Sequence, residues 1–183
     1  MIERSKLREL HEEDLPLHIL EMDYLQALFL NKLYSDEDSL VFKGGTYLKH
    51  AYGLDRFSED LDFTLKGEIS ENKLRNTAGS LSDYGVEAWI DSFEETEISI
   101  TCRLRFEGPL YQGSEKSIGS VEIDISKRND VFLEPEWVRM FFEYPEIRVL
   151  NVLGLRKKEL MAEKLRALST RRKARDLYDV WFL

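Results

Sequence analysis

Three stretches, residues 86–91, 97–106 and 117–125, alternate apolar and polar side chains with period two. A strand with one buried and one wet face produces that alternation, and three at short spacing read as an antiparallel run in one sheet. Ile98, Ile100, Cys102, Leu104 and Phe106 then share a face, which makes the single cysteine a small core residue. Helical spacing surrounds these strands. Leu17, Leu20, Tyr24, Leu25, Leu28 and Phe29 mark an amphipathic helix ending near Tyr34. Residues 47–53 read as a short helix stopped by Gly53, and 71–84 as one stopped by Gly85. Short strands are expected at 39–42, 60–65 and 147–150, and helices at 155–168 and 175–183. The class is therefore α+β, a mixed sheet flanked by helices. One domain is expected over 1–183, with a helical lead-in at 1–38, the sheet at 39–150 and C-terminal helices at 155–183. The final Val180-Trp-Phe-Leu183 is apolar and uncapped. It reads either as a truncated end or as a helix packed fully against the sheet.

Composition narrows the function classes. With 43% hydrophobic residues in 183, the chain is neither disordered nor linker-like, and one cysteine excludes a disulfide framework or a cysteine-built zinc site. The N-terminus lacks a signal-peptide core, and no apolar run approaches the roughly 18 residues of a membrane span. A cytoplasmic protein without a membrane partner is expected. The net charge of -9 argues against nonspecific nucleic-acid binding, but it is unevenly placed. Residues 156–179 hold nine basic and four acidic side chains, about +5, which leaves about -14 on the rest. That segment is either a solvated basic helix face or a local anion site.

The chemistry-bearing residues fall in separate blocks. Phe42-Lys-Gly-Gly-Thr46 leads a strand through two glycines into a helix, where unpaired N–H groups would face an anion; alone, the glycine pair is a weak signal, more often a tight turn than a phosphate cradle. Asp60 and Asp62 alternate with Leu61 and Phe63, which puts both carboxylates on one face of a strand. Adjacent carboxylates repel, and a hard divalent ion such as Mg²⁺ relieves the repulsion; a solvated strand edge or a capped turn is the plain alternative. Glu122 and Asp124 share a face of another strand, and either could complete a metal site or be an ordinary outward acid. Lys164 and Arg175 suit triphosphate oxygens. Asp176 and Asp179, with Arg172 four residues before Asp176, fit a helical face or a surface salt-bridge ladder.

Lys43-Gly-Gly-Thr46, Arg56-Phe-Ser-Glu-Asp-Leu-Asp62, Ala162-Glu-Lys-Leu-Arg-Ala167 and Arg175-Asp-Leu-Tyr-Asp179, in that order and spacing, resemble the AbiEii/AbiGii-toxin family of nucleotidyltransferases over roughly residues 40–183. The resemblance implies a nucleotidyltransferase-like mixed β-sheet flanked by helices, of the DNA-polymerase-β type, with Mg²⁺ as cofactor and an NTP as donor. It implies Asp60, Lys164 and Asp176 as catalytic, with Ser58 and Asp62 in the same matched block as Asp60. On this reading Asp60 and Asp62 hold metal, with Asp124 as third carboxylate. Gly44, Gly45 and Thr46 lie against the phosphates with Ser58 and Arg175, and Arg56 and Lys164 neutralise them. Asp176 orients Lys164 or the ribose. Family members are toxins of toxin–antitoxin pairs, some modifying tRNA ends, so tRNA and an antitoxin are the expected partners. The chain departs from the common polymerase-β pattern in having Gly-Gly rather than Gly-Ser, and longer members carry further C-terminal helices. The alternatives are a nucleotide-binding module without turnover and a nucleotidyltransferase acting on a small molecule, such as an aminoglycoside. His11, His18 and His50 are scattered and read as non-ligands. Trp89, Trp137 and Trp181, with Phe141, Phe142 and Tyr144, read as core or helix packing, and residues 140–142 also as a partner surface.

Overall fold

A computed structural model describes residues 1–10, 15–36, 38–128 and 131–183; His11 lies outside them. Six helices and seven strands are described. They are α1 (Arg4–Glu9), α2 (Leu17–Leu33), β1 (Leu40–Lys43), α3 (Gly44–Tyr52), β2 (Leu61–Leu65), α4 (Glu71–Gly79), β3 (Glu87–Glu95), β4 (Ser99–Glu107), β5 (Gly119–Ser126), β6 (Glu136–Tyr144), β7 (Ile147–Gly154), α5 (Lys157–Arg171) and α6 (Ala174–Phe182). The strands form one mixed sheet in the order β3-β4-β5-β2-β1-β7-β6. The β2–β5 and β1–β7 pairs are parallel and the others antiparallel. No described helix is long and apolar enough to cross a membrane.

The alternation expected around Asp62 sets the register. Leu61, Phe63, Ile123 and Ile125 are fully buried, each worth roughly 2 kcal/mol of burial. A one-residue slip of β2 would expose Leu61 and Phe63 and bury Asp62, so the pairing of Asp62 with Asp124 is strongly specified. Helix α2 covers the core with Tyr24, Leu25, Leu28 and Phe29, and Phe42 stacks on Phe63 with centroids 5.1 Å apart.

The expected run of three strands is present, as β3, β4 and β5. The expected helix over 71–84 is α-helical only to Gly79, then tightens into a 3-10 turn, Ser80–Tyr84, before Gly85 at φ 74. Ile98 leaves the face assigned to it: it precedes β4 and is 51% exposed, while Ile100, Cys102, Leu104 and Phe106 are buried. Strand β6 escaped the sequence reading because Met140, Phe141 and Phe142 run together and mask its alternation; Met140, Phe142 and Tyr144 point inward, whereas Trp137 and Phe141 point out. Of the core or helix packing expected of the tryptophans, neither Trp137 nor Trp181 lies in the core; Trp137 packs edge-on against Tyr34, and Trp181, 77% exposed on α6, stacks on Tyr178 of the same helix. His18 is exposed, and His50 Nε2 lies 3.2 Å from Asp23 Oδ1, a carboxylate that also accepts from Tyr144 at 2.6 Å.

Candidate active site

The turn from β1 into α3 has no room for side chains. Gly44 sits at φ 78, where an L side chain is strained, and a Cβ there would overlap the Asp62 carboxylate. On Gly45 a Cβ would lie 2.6 Å from Ser58 Oγ and 3.0 Å from Arg56 Nη2. Both glycines thus let the N-terminus of α3 press against Asp62, Ser58 and Arg56. Those backbone N–H groups and the helix dipole suit a phosphate. Thr46 departs from its expected role. It is buried, and its hydroxyl donates to the Asp60 carbonyl at 2.7 Å and more weakly to that of Ser58 at 3.4 Å. It fixes the segment before β2 rather than facing a ligand. Gln26 of α2 does the same from below, donating to Ser58 O at 3.2 Å and Glu59 O at 2.9 Å. A lone glutamine on a largely apolar helix carried no signal of this.

Asp62 pairs laterally with Lys43 on one side and Asp124 on the other, and Asp124 with Thr101, so one row crosses β1, β2, β5 and β4. Asp60 stands just ahead of β2. Burial, then repulsion from Asp124, raises the Asp60 carboxyl above its ordinary range. Burial pushes Asp62 up to about 6; Lys164 and Lys43 oppose the rise and Asp60 and Asp124 add to it. Bound cation charge would relieve that strain, and the all-oxygen donor set fits Mg²⁺, which typically takes one or two carboxylates plus substrate phosphates. Of the two candidates for a third carboxylate, Glu122 is taken by Arg103 at 2.8 Å, while Asp124 opens onto the site and accepts from Thr101 at 2.9 Å. The expected metal set of Asp60, Asp62 and Asp124 therefore lines one cavity without closing into a cage. Among the described residues no three His, Cys, Asp or Glu side chains are close enough to hold a metal ion.

Helices α5 and α6 bring the cations. Lys164, 8% exposed, meets Asp179 Oδ2 at 2.7 Å. Arg56 grips the same carboxylate with two bonds, Nε to Oδ1 at 2.7 Å and Nη2 to Oδ2 at 2.6 Å. Burial works to raise the Asp179 carboxyl, but the bonds from Arg56 and Lys164 outweigh it and hold the group below the usual range. The carboxylate in contact with Lys164 is thus Asp179 and not Asp176, which was expected to orient Lys164 or the ribose. Asp176 is buried and engages Arg171 at 3.0 and 3.2 Å. It does not pair with Arg172, which breaks the helix at φ 50 between α5 and α6. The surface-ladder alternative fails with both acids buried.

One cavity of about 110 Å³ collects most of the expected residues. Gly45, Arg56, Ser58, Asp60, Asp62, Asp124, Lys164, Arg171, Arg175 and Asp176 all line it. Gly44 lines an adjoining cavity of about 390 Å³ that shares Asp62, Lys164 and Arg171. Lys43, bonded to Glu163 at 2.8 Å, lies on that wall, a pair that sequence alone did not indicate.

Residues 26–183 match the family described as nucleotidyl transferase AbiEii toxin, type IV TA system. Among solved structures, JHP933 from Helicobacter pylori is similar with a TM-score of 0.65 and 23% identity, over 93% of this chain and 67% of that one. MenT4, a nucleotidyltransferase toxin from Mycobacterium tuberculosis H37Rv, is similar with a TM-score of 0.65 and 25% identity, over 98% of this chain and 63% of that one. A putative nucleotidyltransferase from H. pylori gives 0.62 and 22%, over 90% and 67%. The match thus spans about two thirds of the length of these structures. No curated protein matches the chain.

Proposed function

The chain belongs to the AbiEii family of nucleotidyl transferase toxins of type IV toxin–antitoxin systems, and on that premise we propose that it transfers a nucleotidyl group from a Mg²⁺-bound NTP to an acceptor hydroxyl, with tRNA as acceptor. The supporting observation is the single cavity in which Asp60, Asp62 and Asp124 face Lys164, Arg56 and Arg175 beside two glycines that leave no space for a Cβ. In the reaction the acceptor oxygen bonds to the α-phosphorus, the bond from that phosphorus to the bridging oxygen breaks, and pyrophosphate departs with the electron pair. The hydroxyl proton passes to a site carboxylate, Asp124 being the exposed member of the set. Asp60 and Asp62 would hold Mg²⁺, which when bound supplies charge neutralisation at the phosphates. Gly44 and Gly45 bring the α3 N–H groups to the pyrophosphate end. Asp179 keeps Arg56 and Lys164 aimed into the cavity, where their remaining N–H groups meet phosphate oxygens. A cognate antitoxin would be its partner and the cytoplasm its place of action.

The test is incubation with each labelled NTP, Mg²⁺ and total tRNA. Label should enter tRNA with the wild type and fall at least ~100-fold with Asp60→Ala, since removing one preorganised electrostatic group typically costs that much. No transfer by the wild type, or equal transfer by the variant, overturns the proposal.

A further inference from the structure

The three site carboxylates are not held alike. Asp60 and Asp62 accept no side-chain hydrogen bond among the described residues. Asp124 has one donor, Thr101 on β4. Thr101 is its direct cross-strand partner, and the threonine hydroxyl donates to Oδ1 at 2.9 Å. Asp124 is exposed and Thr101 half-buried. An exposed carboxylate left alone samples several staggered rotamers. Threonine is branched at Cβ and restricted at χ1, so its hydroxyl stays in place and selects one of them.

The charges around Asp124 would otherwise move it. Asp62 is its partner on β2 and Asp60 stands just ahead of that strand, so two carboxylates repel it from one side. Glu122, two residues earlier on the same face of β5, repels it as well. On the other side Arg103 lies diagonally across β4, within reach of a long side chain. Arg103 is engaged by Glu122, with Nη2 2.8 Å and Nε 3.2 Å from Oε1. A neutral hydroxyl therefore holds a carboxylate that its neighbours repel. An arginine fork in that place would occupy both oxygens. Thr101 occupies one, and Oδ2 is left without a donor among the described residues.

Resting on the transfer reading above, we infer that Thr101 is a positioning residue, which fixes Oδ1 of Asp124 and so presents Oδ2 to the acceptor hydroxyl. That oxygen takes the hydroxyl proton as the acceptor oxygen bonds to the α-phosphorus and pyrophosphate leaves with the electron pair of the broken bond. Thr101 lines none of the cavities that open onto Asp62, so it acts through Asp124. The hydrogen bonding also divides the work among the carboxylates. The two without a side-chain donor suit a metal ion, and the one already half engaged suits a single proton.

The test follows transfer of labelled NTP to tRNA with Mg²⁺ at varied NTP, alongside crystal structures of the metal-free protein. Thr101→Val keeps the shape and removes the donor. It should lower kcat about tenfold, the loss typical when the hydrogen-bond partner of a site ligand is removed. The KM for NTP should stay within about twofold, because Thr101 makes no contact with the donor nucleotide. Thr101→Ser keeps the hydroxyl and should bring kcat back to within about threefold of the wild type. In the Thr101→Val crystal the Asp124 carboxylate should leave its wild-type rotamer or divide between two. An unchanged kcat, a loss that serine does not recover, or a KM that rises in step with the fall in kcat overturns the inference. So does an Asp124 that keeps its wild-type rotamer in Thr101→Val. The rotamer is read without turnover, so a wild type that transfers no label refutes the reaction while the crystal still decides whether Thr101 sets Asp124.

Discussion

Replacing Asp179 by Asn tests how the site is held together. The carboxylate is fully buried and is the shared counter-charge for Lys164, whose side chain is 10% exposed, and Arg56, 20% exposed. Asparagine keeps the shape and one acceptor but removes the charge, leaving two largely buried cations facing each other. Stripping one partner from a buried ion pair typically costs 3–5 kcal/mol, and the retained acceptor places this case near the low end, about 3 kcal/mol. In a domain of this size each kcal/mol moves Tm by about 2–4 °C, so a drop of about 10 °C is expected by calorimetry. Transfer to tRNA should fall at least ~100-fold, because the cations no longer share one orientation. The pairing has its own signature in a double-mutant cycle. Lys164→Met should be destabilising alone but should recover about 2 kcal/mol in the Asp179→Asn background, where it removes an uncompensated charge. Nucleotide should also raise Tm more in Asp179→Asn than in the wild type, because triphosphate replaces the missing charge. Additive losses in the cycle, or a wild-type Tm for Asp179→Asn, refute the shared role of Asp179 as counter-charge for Lys164 and Arg56. The lowered Asp179 pKa gives a sign as well: its contribution is complete above the unfolded carboxyl value near 4 and is lost as pH falls through the lower folded value.

Asp62 titrates the other way. With its folded pKa pushed up to about 6, the native state binds the extra proton between about pH 4 and 6, so metal-free stability falls as pH rises through that window. Asp62→Asn should then raise the metal-free Tm at pH 7 by a few degrees while abolishing transfer, and Mg²⁺ should stabilise the wild type more than the variant; an Asp62→Asn Tm at or below that of the wild type in chelator refutes the reading. Gly45→Ala should reduce transfer at least tenfold, with a stability loss of about 1–3 kcal/mol as Ser58 and Arg56 are forced aside; denaturant titration and the labelling assay check the two parts. Thr46→Val leaves the Asp60 carbonyl without its 2.7 Å donor, costing about 1 kcal/mol, and Thr46→Ser should restore it. If Thr46→Val instead raises the KM for NTP severalfold with no change in Tm, Thr46 contacts substrate after all.

Much of this site could be read from residue order, because its parts lie on elements whose periodicity is local. Alternation placed Asp62 and Asp124 on the face away from Leu61 and Ile123, and the strand–glycine–helix junction placed Gly44 and Gly45 where β1 enters α3. What the sequence could not carry was helical phase across a break. Arg172 stands four residues before Asp176, a pairing distance only in an unbroken helix. At φ 50 it ends α5, and Lys173 caps α6, so Arg171 comes round to Asp176 instead. The same reset turns Asp179 toward Lys164 and Arg56, so that it, and not Asp176, contacts Lys164. Thr46 misled for a related reason. A hydroxyl one residue past a glycine pair suits a phosphate by type, and only the path of the chain at Ser58 and Asp60 shows that the carbonyls there claim it first.

Charge placement connects these details to how an acidic protein could handle polyanions. Around the small cavity Arg56, Lys164, Arg171 and Arg175 are matched in number by Asp60, Asp62, Asp124 and Asp176. That pocket is formally neutral, so a triphosphate gains no net attraction there until divalent charge accompanies it. The adjoining cavity differs: Lys43, Arg128, Lys164, Arg166 and Arg171 outnumber Asp62 and Glu163, for about +3 on a chain of -9. Against the net charge of -9, this lining is a local concentration of positive charge beside Asp62. On a uniformly basic surface a strand could bind in many registers, most of them unproductive. Under the proposed transfer, phosphate drawn to that wall would stand beside Asp62, where the chemistry would take place.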